Sequence, residues 1–452
     1  MGLGTFKGGI HPYDGKELSK KTPIKTILPK GDLVYPLLQH IGAPASPVVK
    51  KGDRVLAGQK IGDAAGMISS NIICSVSGTV KAIEPRLTVS GAMTEAIVVE
   101  NDGEYETLAG VGAKRDYTGL SKVEIRNIIK EAGIVGMGGA GFPTHVKLSP
   151  RDDSKIDYVI VNGSECEPYL TSDYRLMLEK PKTIIDGLKV SLRLFENAKG
   201  IIAVEDNKPD AAIKLQELVK EEPNIEVAVL HTKYPQGAER VLIYAVTGRK
   251  INSSMLPADA GCIVINVDTA ASICLAVCES TPLMRRIITV TGDAIQNPAN
   301  FSVKIGMNYQ ELVEAAGGWK TQPRKILSGG PMMGIALYTT AVPVIKTSSA
   351  LIGMIRDEVA LSVSPPHLRS AENYEPGSCI RCGRCLRVCP SNIIPQMLRE
   401  YADRNDVEGY EKRGGMECCE CGSCSYICPA KLRLTQSFRQ TRRSILDSKR
   451  KK

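Results

Sequence analysis

The stretch SCIRCGRCLRVCP, Ser378 to Pro390, is answered by CCECGSCSYICP, Cys418 to Pro429. Each contains the spacing C-x2-C-x2-C-x3-C with a proline directly after the last cysteine. A short turn of this kind lets three thiolates converge on three irons of one cube, while the fourth cysteine points toward a second cube. The spacing therefore predicts two [4Fe–4S] clusters. Cys379, Cys382, Cys385 and Cys428 are expected to hold one, and Cys418, Cys421, Cys424 and Cys389 the other. A zinc site would use two C-x2-C pairs farther apart and has no need of the proline. The chain is built to move single electrons. The stretch from Ser391 to Glu417 reads as mostly helical and is longer than a compact two-cluster domain needs, so an α-helical ferredoxin domain is expected over 346–452, its cluster segment beginning after the SPP at 364–366.

Composition agrees with this reading. Fourteen cysteines point to a reducing compartment, because free thiolates must persist until iron arrives. A length of 452 residues leaves room for about three or four domains, and 43% apolar content supplies their cores. Aromatic residues at 5% suit small α/β and β modules. No apolar run approaches the roughly 18 residues that cross a bilayer, and the start of the chain has no secretory pattern. Contact with a membrane is expected only through partners. The net charge of +9 is concentrated late: residues 366–452 hold 17 Lys/Arg against 10 Asp/Glu. Arg381, Arg384 and Arg387 lie between cluster ligands, where they offset thiolate charge. The terminal Lys449, Arg450, Lys451 and Lys452 are expected to fray in solvent. No nucleic-acid partner is expected.

Residues 45–101 read as short strands between glycine turns, with V-x-x-G-D-x-V-x-x-G-Q-x-I followed by S-G-T-V. That pattern predicts a barrel-sandwich hybrid. Carrier domains of that shape present a modified lysine on a hairpin, but no lysine lies between Lys60 and Lys81, so a structural module is expected. An amphipathic helix, SKVEIRNIIKEAGI, follows. From Tyr158 the chain alternates strands (YVIVNG, GIIAVED, IEVAVLHT, CIVINV) with helices over 174–197, 208–220, 237–247 and 268–279. Alternation at these lengths predicts a parallel sheet covered on both faces. Two strands, a polar turn and a helix then predict a small β-grasp-like module over 286–345.

Four patches fall where such a sheet binds ligands, at the carboxyl ends of its strands. The loop GMGGAGFPTHVK, Gly136 to Lys147, allows close backbone approach to a phosphate or ring. A helix precedes it rather than a strand, so the ordinary dinucleotide fingerprint fails on context. VNGSECEPYLTSD places Asn162, Glu165 and Glu167 after one strand. YPQGAER places Tyr234, Gly237 and Glu239 at a helix start, and VINVDTAAS places Asn266, Asp268 and Thr269 after another strand. Any one patch is explained by helix capping, Asp268 and Thr269 especially; four on one sheet edge point to a shared pocket. A nicotinamide releases two electrons together and a cluster accepts one, so a flavin is the expected intermediary. The remaining cysteines, Cys74, Cys166, Cys262, Cys274, Cys278 and Cys419, are expected to be small packed side chains or bystanders.

The combination G-x-G-G-A-G-F-P-T-x-x-K, E-x-E-P and Y-x-x-G-x-E-R resembles the FMN-binding subunit of respiratory complex I. With FKGGIHP at 6–12, the sandwich and the paired cysteine runs, the whole chain resembles the C component of the Rnf complexes. The fold implied is multidomain α/β: an N-terminal barrel-sandwich hybrid (1–115), a Rossmann-like parallel α/β FMN/NAD domain (116–285), a β-grasp, SLBB-like module (286–345) and an α-helical two-cluster ferredoxin domain (346–452). The resemblance implies that Gly136, Gly138, Gly139, Gly141, Lys147, Asn162, Glu165 and Asn266 line a noncovalent FMN. It implies that Phe142, Glu167, Tyr234 and Glu239 face NAD(H), with Glu167 and Glu239 closest to the chemistry. Met137, Pro150 and Leu256 depart from the complex I pattern and thin the aromatic clamp on the dinucleotide. The implied activity is ferredoxin:NAD+ oxidoreduction coupled to cation translocation by membrane and iron–sulfur partner subunits, with ferredoxin an indirect partner. The implied place is peripheral, on the cytoplasmic face of the membrane. A soluble corrinoid reductase, or an electron-transfer scaffold without nucleotide activity, is the alternative.

Overall fold

The computed structural model describes residues 3–356 and 376–450; the SPP stretch at 364–366 lies outside them. In the N-terminal region, strands Leu33–Pro36, Met93–Asn101, Gly78–Leu87 and Arg54–Val55 make one four-stranded sheet, in that spatial order. Ser46–Pro47, Lys60–Asp63 and Ile72–Ile73 make a three-stranded one. Alternating apolar residues close the sandwich: Leu33, Tyr35, Val55, Val80, Ile97 and Val99 are all buried in one core.

Ser121 and Glu124 form a reciprocal capping box that starts the helix Lys122–Glu131. Beyond it lies the parallel sheet, ordered Ile225–Leu230, Lys199–Glu205, Tyr158–Gly163, Cys262–Asn266. Its strands are runs of Val and Ile because helices cover both faces; Val159, Ile160, Val161, Ile201 and Ile202 are buried. The chain winds outward from Tyr158–Gly163 for two strands, then returns to the other side of it. That reversal opens a crevice between Tyr158–Gly163 and Cys262–Asn266, where Asn162 pairs with Asn266.

The helix expected over 174–197 is two helices, Ser172–Glu179 and Pro181–Leu192. Proline disfavours helical geometry in the residue before it. Lys180 accordingly sits at φ −133°, and Pro181 opens the second helix, where its missing N–H costs nothing.

Six strands form the next sheet, in the order Ile24–Thr26, Ala299–Lys304, Arg285–Thr291, Ala350–Met354, Lys325–Ser328, Ile335–Leu337. The N-terminal segment supplies the first strand, parallel to Ala299–Lys304. In the cysteine-rich region Pro395–Asp403, Val407–Lys412 and Leu434–Arg450 are helical, and Leu398, Tyr410, Phe438 and Ile445 make its core. The expected fraying does not extend to Lys449, whose ammonium meets Glu411 at 2.6 Å at the end of a continuous helix. No described helix is long and apolar enough to cross a membrane.

Candidate functional site

The crevice edge is built first by backbone. The glycine loop closes on itself through Gly136 N–H donating to Phe142 O (2.9 Å), beside a bridge between Val135 and Pro143. Gly141 has φ +75°, and a Cβ there would lie 2.7 Å from Thr347 Cγ2. At Gly138 a Cβ would lie 3.0 Å from Asn266 Cβ. A side chain at either position would push the loop off the crevice. Gly139 faces open space instead, with nothing within 4 Å of where its Cβ would be. The loop thus offers bare backbone at one point and is wedged tightly at its neighbours.

Side chains from four elements converge on it. Asn266 caps the helix Val267–Glu279, its Oδ1 accepting from Asp268 N (2.8 Å) while its Nδ2 donates to Asp173 Oδ2 (2.7 Å). The cap is therefore Asn266, and Asp268 turns away to bind Arg285 and Arg286. Asn162 Nδ2 donates to Gly237 O (2.9 Å), tying the end of its strand to the YPQGAER patch. Lys147 Nζ donates to Glu239 Oε1 (2.7 Å) and to Val264 O (3.0 Å). Lys147 and Glu239, expected to serve different ligands, form one ion pair at the pocket edge.

The two acidic residues of E-x-E-P diverge, as alternate residues of an irregular turn with one left-handed residue do. Glu165, at φ +47°, accepts from Asp173 N (2.7 Å) and Tyr174 N (3.4 Å) at a helix start. Burial raises its pKa against the pull of Lys16. Glu167 points instead toward residues 330–333, its Oε2 accepting from Met332 N (3.1 Å) while its Oε1 is enclosed without a partner. Burial pushes its pKa up to about 7, opposed by the Met332 hydrogen bond. Asp173, not singled out from the sequence, is raised to about 6 by the same desolvation, opposed by Asn266. Its signal was the T-S-D that closes VNGSECEPYLTSD. Lys208, likewise missed, is buried and donates to Ser164 O (2.6 Å) and Glu205 (3.2 Å).

Ser164 Oγ and both side-chain polar atoms of Gln236 are buried without partners. Each is next to a residue of the crevice, Gln236 beside Gly237 and Ser164 two residues after Asn162. Unpaired buried polar atoms gathered in one place are the mark of a site completed by a polar ligand or ordered water. Open backbone at Gly139, the Lys147 ammonium and the start of the helix Val267–Glu279 fit the phosphate of such a ligand.

Tyr234 and Phe142 part company. Phe142 is half-buried within the loop, whereas Tyr234 is buried and its hydroxyl donates to Cys421 O (2.6 Å). Tyr234 thus abuts the cysteine-rich region. That region holds two cavities. One is lined by Cys379, Cys382, Cys385 and Cys428, the other by Cys389, Cys418, Cys421 and Cys424. Their backbones repeat each other: Arg381 and Glu420 have φ +53° and +57°, Gly383 and Gly422 +70° and +83°. Left-handed residues at matching offsets turn backbone N–H groups inward, the concavity that suits an anionic iron–sulfur cluster. The two cavities differ in setting. Besides Tyr234, Gly9 N–H donates to Val388 O (2.9 Å) and Arg240 meets Glu417 at 3.0 Å, all at the second cavity's side. Cys379 and Cys382 of the first are exposed. Cys419 is half-buried beside the second cavity. Cys74, Cys262 and Cys274 are buried, Cys278 half-buried, and Cys166 Sγ accepts from Gly237 N (3.3 Å).

Four family models match the chain: the RnfC barrel sandwich hybrid domain (residues 4–104), the Nuo51 FMN-binding domain (129–275), the SLBB domain (287–336) and a 4Fe-4S dicluster domain (378–432). The C component of the Na(+)-translocating ferredoxin:NAD(+) oxidoreductase complex of Acetobacterium woodii is 42% identical over 448 residues, covering 99% of this chain and 98% of that protein. The proton-translocating counterpart of Clostridium ljungdahlii is 44% identical over 397 residues, 88% of this chain and 84% of that one. Among solved structures, an air-oxidized NAD+-reducing [NiFe]-hydrogenase aligns with a TM-score of 0.51 at 18% identity, over 71% of this chain and 63% of that one, a likeness of fold.

Proposed function

Because the chain belongs to the RnfC family, the C components of ion-translocating ferredoxin:NAD+ oxidoreductase complexes, we propose that it is the place where such a complex exchanges electrons with NAD(H). The cofactors are FMN and two [4Fe–4S] clusters. Bound in the crevice, FMN supplies the conversion of a hydride pair into single electrons. The glycine loop would offer its phosphate and ring bare backbone, Lys147, shared with Glu239, would meet its phosphate, and Asn162 and Asn266 would border it at the strand ends. Glu239 and Phe142 border the nicotinamide side. Glu167, its pKa raised to about 7 by burial, is only partly ionised at neutral pH, which reduces its repulsion of the phosphates of an approaching dinucleotide. The cavity linings support crossed ligation, with Cys389 and Cys428 exchanged between the runs. The cluster of the second cavity is then the one next to the crevice, and the exposed first faces the partner subunits.

The regions 1–115, 116–285 and 286–345 and the cysteine-rich region are the units of this proposal, with one correction to the expected boundary at 346: Ala350–Met354 pairs with Arg285–Thr291 and Lys325–Ser328 and so belongs to the six-stranded sheet. Electrons pass between the clusters and iron–sulfur and membrane partners that serve ferredoxin, and the chain sits peripherally on the cytoplasmic face. The single observation that carries the reading is the bond from Tyr234 to Cys421, because it makes the nucleotide crevice and a cluster cavity neighbours. Anaerobic NADH titration of protein loaded with FMN and iron tests it. The flavin band should bleach and a reduced-cluster resonance appear, and Gly139→Val should lose FMN while keeping iron. A protein whose flavin NADH leaves oxidised would contradict the proposal.

A further inference from the structure

The segment before the sandwich is threaded across the carboxyl edge of the parallel sheet. His231 N–H donates to Gly4 O (3.0 Å), and Lys233 Nζ to Phe6 O (2.8 Å). Ile10 and Tyr234 exchange backbone hydrogen bonds of 2.8 and 2.9 Å. Midway, Gly9 N–H donates to Val388 O, and a Cβ on Gly8 (φ +89°) would lie 2.9 Å from Cys389 O. Gly15 lies flat against the Tyr169 ring, 2.5 Å from where its Cβ would be. The segment ends at Lys16, only 7% exposed, whose Nζ donates to the carbonyls of Glu165 (3.0 Å), Glu167 (3.0 Å) and Leu170 (2.5 Å).

Those carbonyls belong to a loop with a strained backbone. Glu165 and Tyr169 both have positive φ, +47° and +69°, which costs of order 1 kcal/mol or more per residue unless surroundings enforce it. Three carbonyls turned onto one buried ammonium enforce it; the cation's three protons match three acceptors. One short segment therefore grips the loop carrying Glu165 and Glu167 at one end. Further back it grips the backbone at Val388, next to cluster ligand Cys389, and Tyr234, which itself holds Cys421.

We propose that residues 8–16 are a positioning strap, with Lys16 as its anchor, that fixes the flavin-side loop and the Cys389/Cys418/Cys421/Cys424 cluster relative to each other; this rests on the flavin and cluster assignment above. Lys16 touches no reacting atom. It acts through the loop, and Gly8 through the close approach it permits to Cys389.

The test uses the full chain loaded with FMN and iron, mixed anaerobically with NADH in a stopped-flow instrument that follows flavin and cluster bands separately. Gly8→Ala should keep its FMN, its iron and the parent rate of flavin bleaching. Passage of electrons from flavin to clusters should slow severalfold, because the added methyl displaces the backbone at Cys389 and alters the path between the two cofactors. Lys16→Met keeps the aliphatic stem and loses the donors. It should slow the same passage and also raise the NADH concentration for half-maximal bleaching, as the loop relaxes. If Gly8→Ala fails to assemble, Lys16→Met decides. A loaded variant that passes electrons to the clusters at the parent rate overturns the strap. A parent protein whose flavin NADH does not bleach overturns the function proposed above instead, so the two failures are distinct.

Discussion

The glycine loop is held from behind by a buried charge cluster, and Asp268→Asn tests how firmly. The Asp268 side chain is 2% exposed and accepts from Arg285 (3.0 Å) and from Arg286, itself 3% exposed. Arg286 also donates to Ser348 O (2.9 Å) and to Met137 O (3.3 Å) inside the glycine loop. Burial lowers the pKa of Arg286, opposed by Asp268. The amide leaves that guanidinium enclosed without its counter-charge, a loss of about 3–5 kcal/mol. Arg286→Met leaves Asp268 still paired with Arg285, whose side chain is 26% exposed. Losing its hydrogen bonds there should cost less, about 1–3 kcal/mol. Trp319, the single tryptophan, packs over Gly353 in the same six-stranded sheet region and reports on its unfolding. Urea denaturation followed by its fluorescence should rank parent, Arg286→Met and Asp268→Asn in falling stability, with FMN retention falling in the same order. An Asp268→Asn protein within about 1 kcal/mol of the parent, or less destabilised than Arg286→Met, would refute the idea that this pairing supports the loop.

At pH 8, above the raised pKa of Glu167, Glu167→Gln should weaken productive NADH binding about five- to tenfold, because a charged hydrogen-bond acceptor contributes about 1 kcal/mol or more beyond a neutral one; flavin content should stay at the parent level, and stopped-flow bleaching beside a flavin count checks both. Cys389→Ser should disturb the cluster of the second run and Cys428→Ser that of the first, read as selective changes in two reduced-cluster resonances; a change in the cluster of the mutated run itself would contradict crossed ligation. In the flavin-free protein Glu167 and Asp173 should each remove stability as pH rises from about 4.5 to 7, against His40 and His145, which burial lowers to about 4 and which act in the opposite direction. Burial lifts Glu167 to about 7 and Asp173 to about 6, so in that window these two groups keep protons in the folded state that the unfolded chain has released, and their contribution to ΔG falls with pH. Glu167→Gln should flatten part of that slope in urea titrations at several pH values.

What was legible in the sequence was what is encoded locally. The cysteine spacings, the Val/Ile runs and the amphipathic pattern of SKVEIRNIIKEAGI each set structure within a few residues, and each appears where its pattern lies. The carboxyl edge was legible because strand ends and ligand-binding residues coincide in a parallel sheet. The break at Pro181 was within reach of local rules but was masked by an apolar pattern that continues through it. Other features had no local trace. Lys16 reaches a loop 149 residues away, Arg286 pairs with Asp268 across two regions, and Tyr234 meets the cysteine-rich segment 187 residues on. Glu165 and Glu167 share a motif and are assigned to different ligands only through the resemblance; the left-handed backbone at Glu165, which has no local trace, sends them to different partners. Asp268 looked like a cap because it opens a helix, but Asn266 two residues earlier already fills that role.

The central claim is that one chain takes a hydride at the crevice and releases it as single electrons through the cysteine cavities. The most direct measurement compares NADH with NADH deuterated at the transferred position, in anaerobic stopped-flow mixing with the FMN- and iron-loaded protein. The account predicts that deuterium slows flavin bleaching, that cluster reduction follows with a lag, and that FMN-free protein reduces no cluster. Clusters reduced without a lag, or reduced by NADH in the absence of FMN, would contradict it.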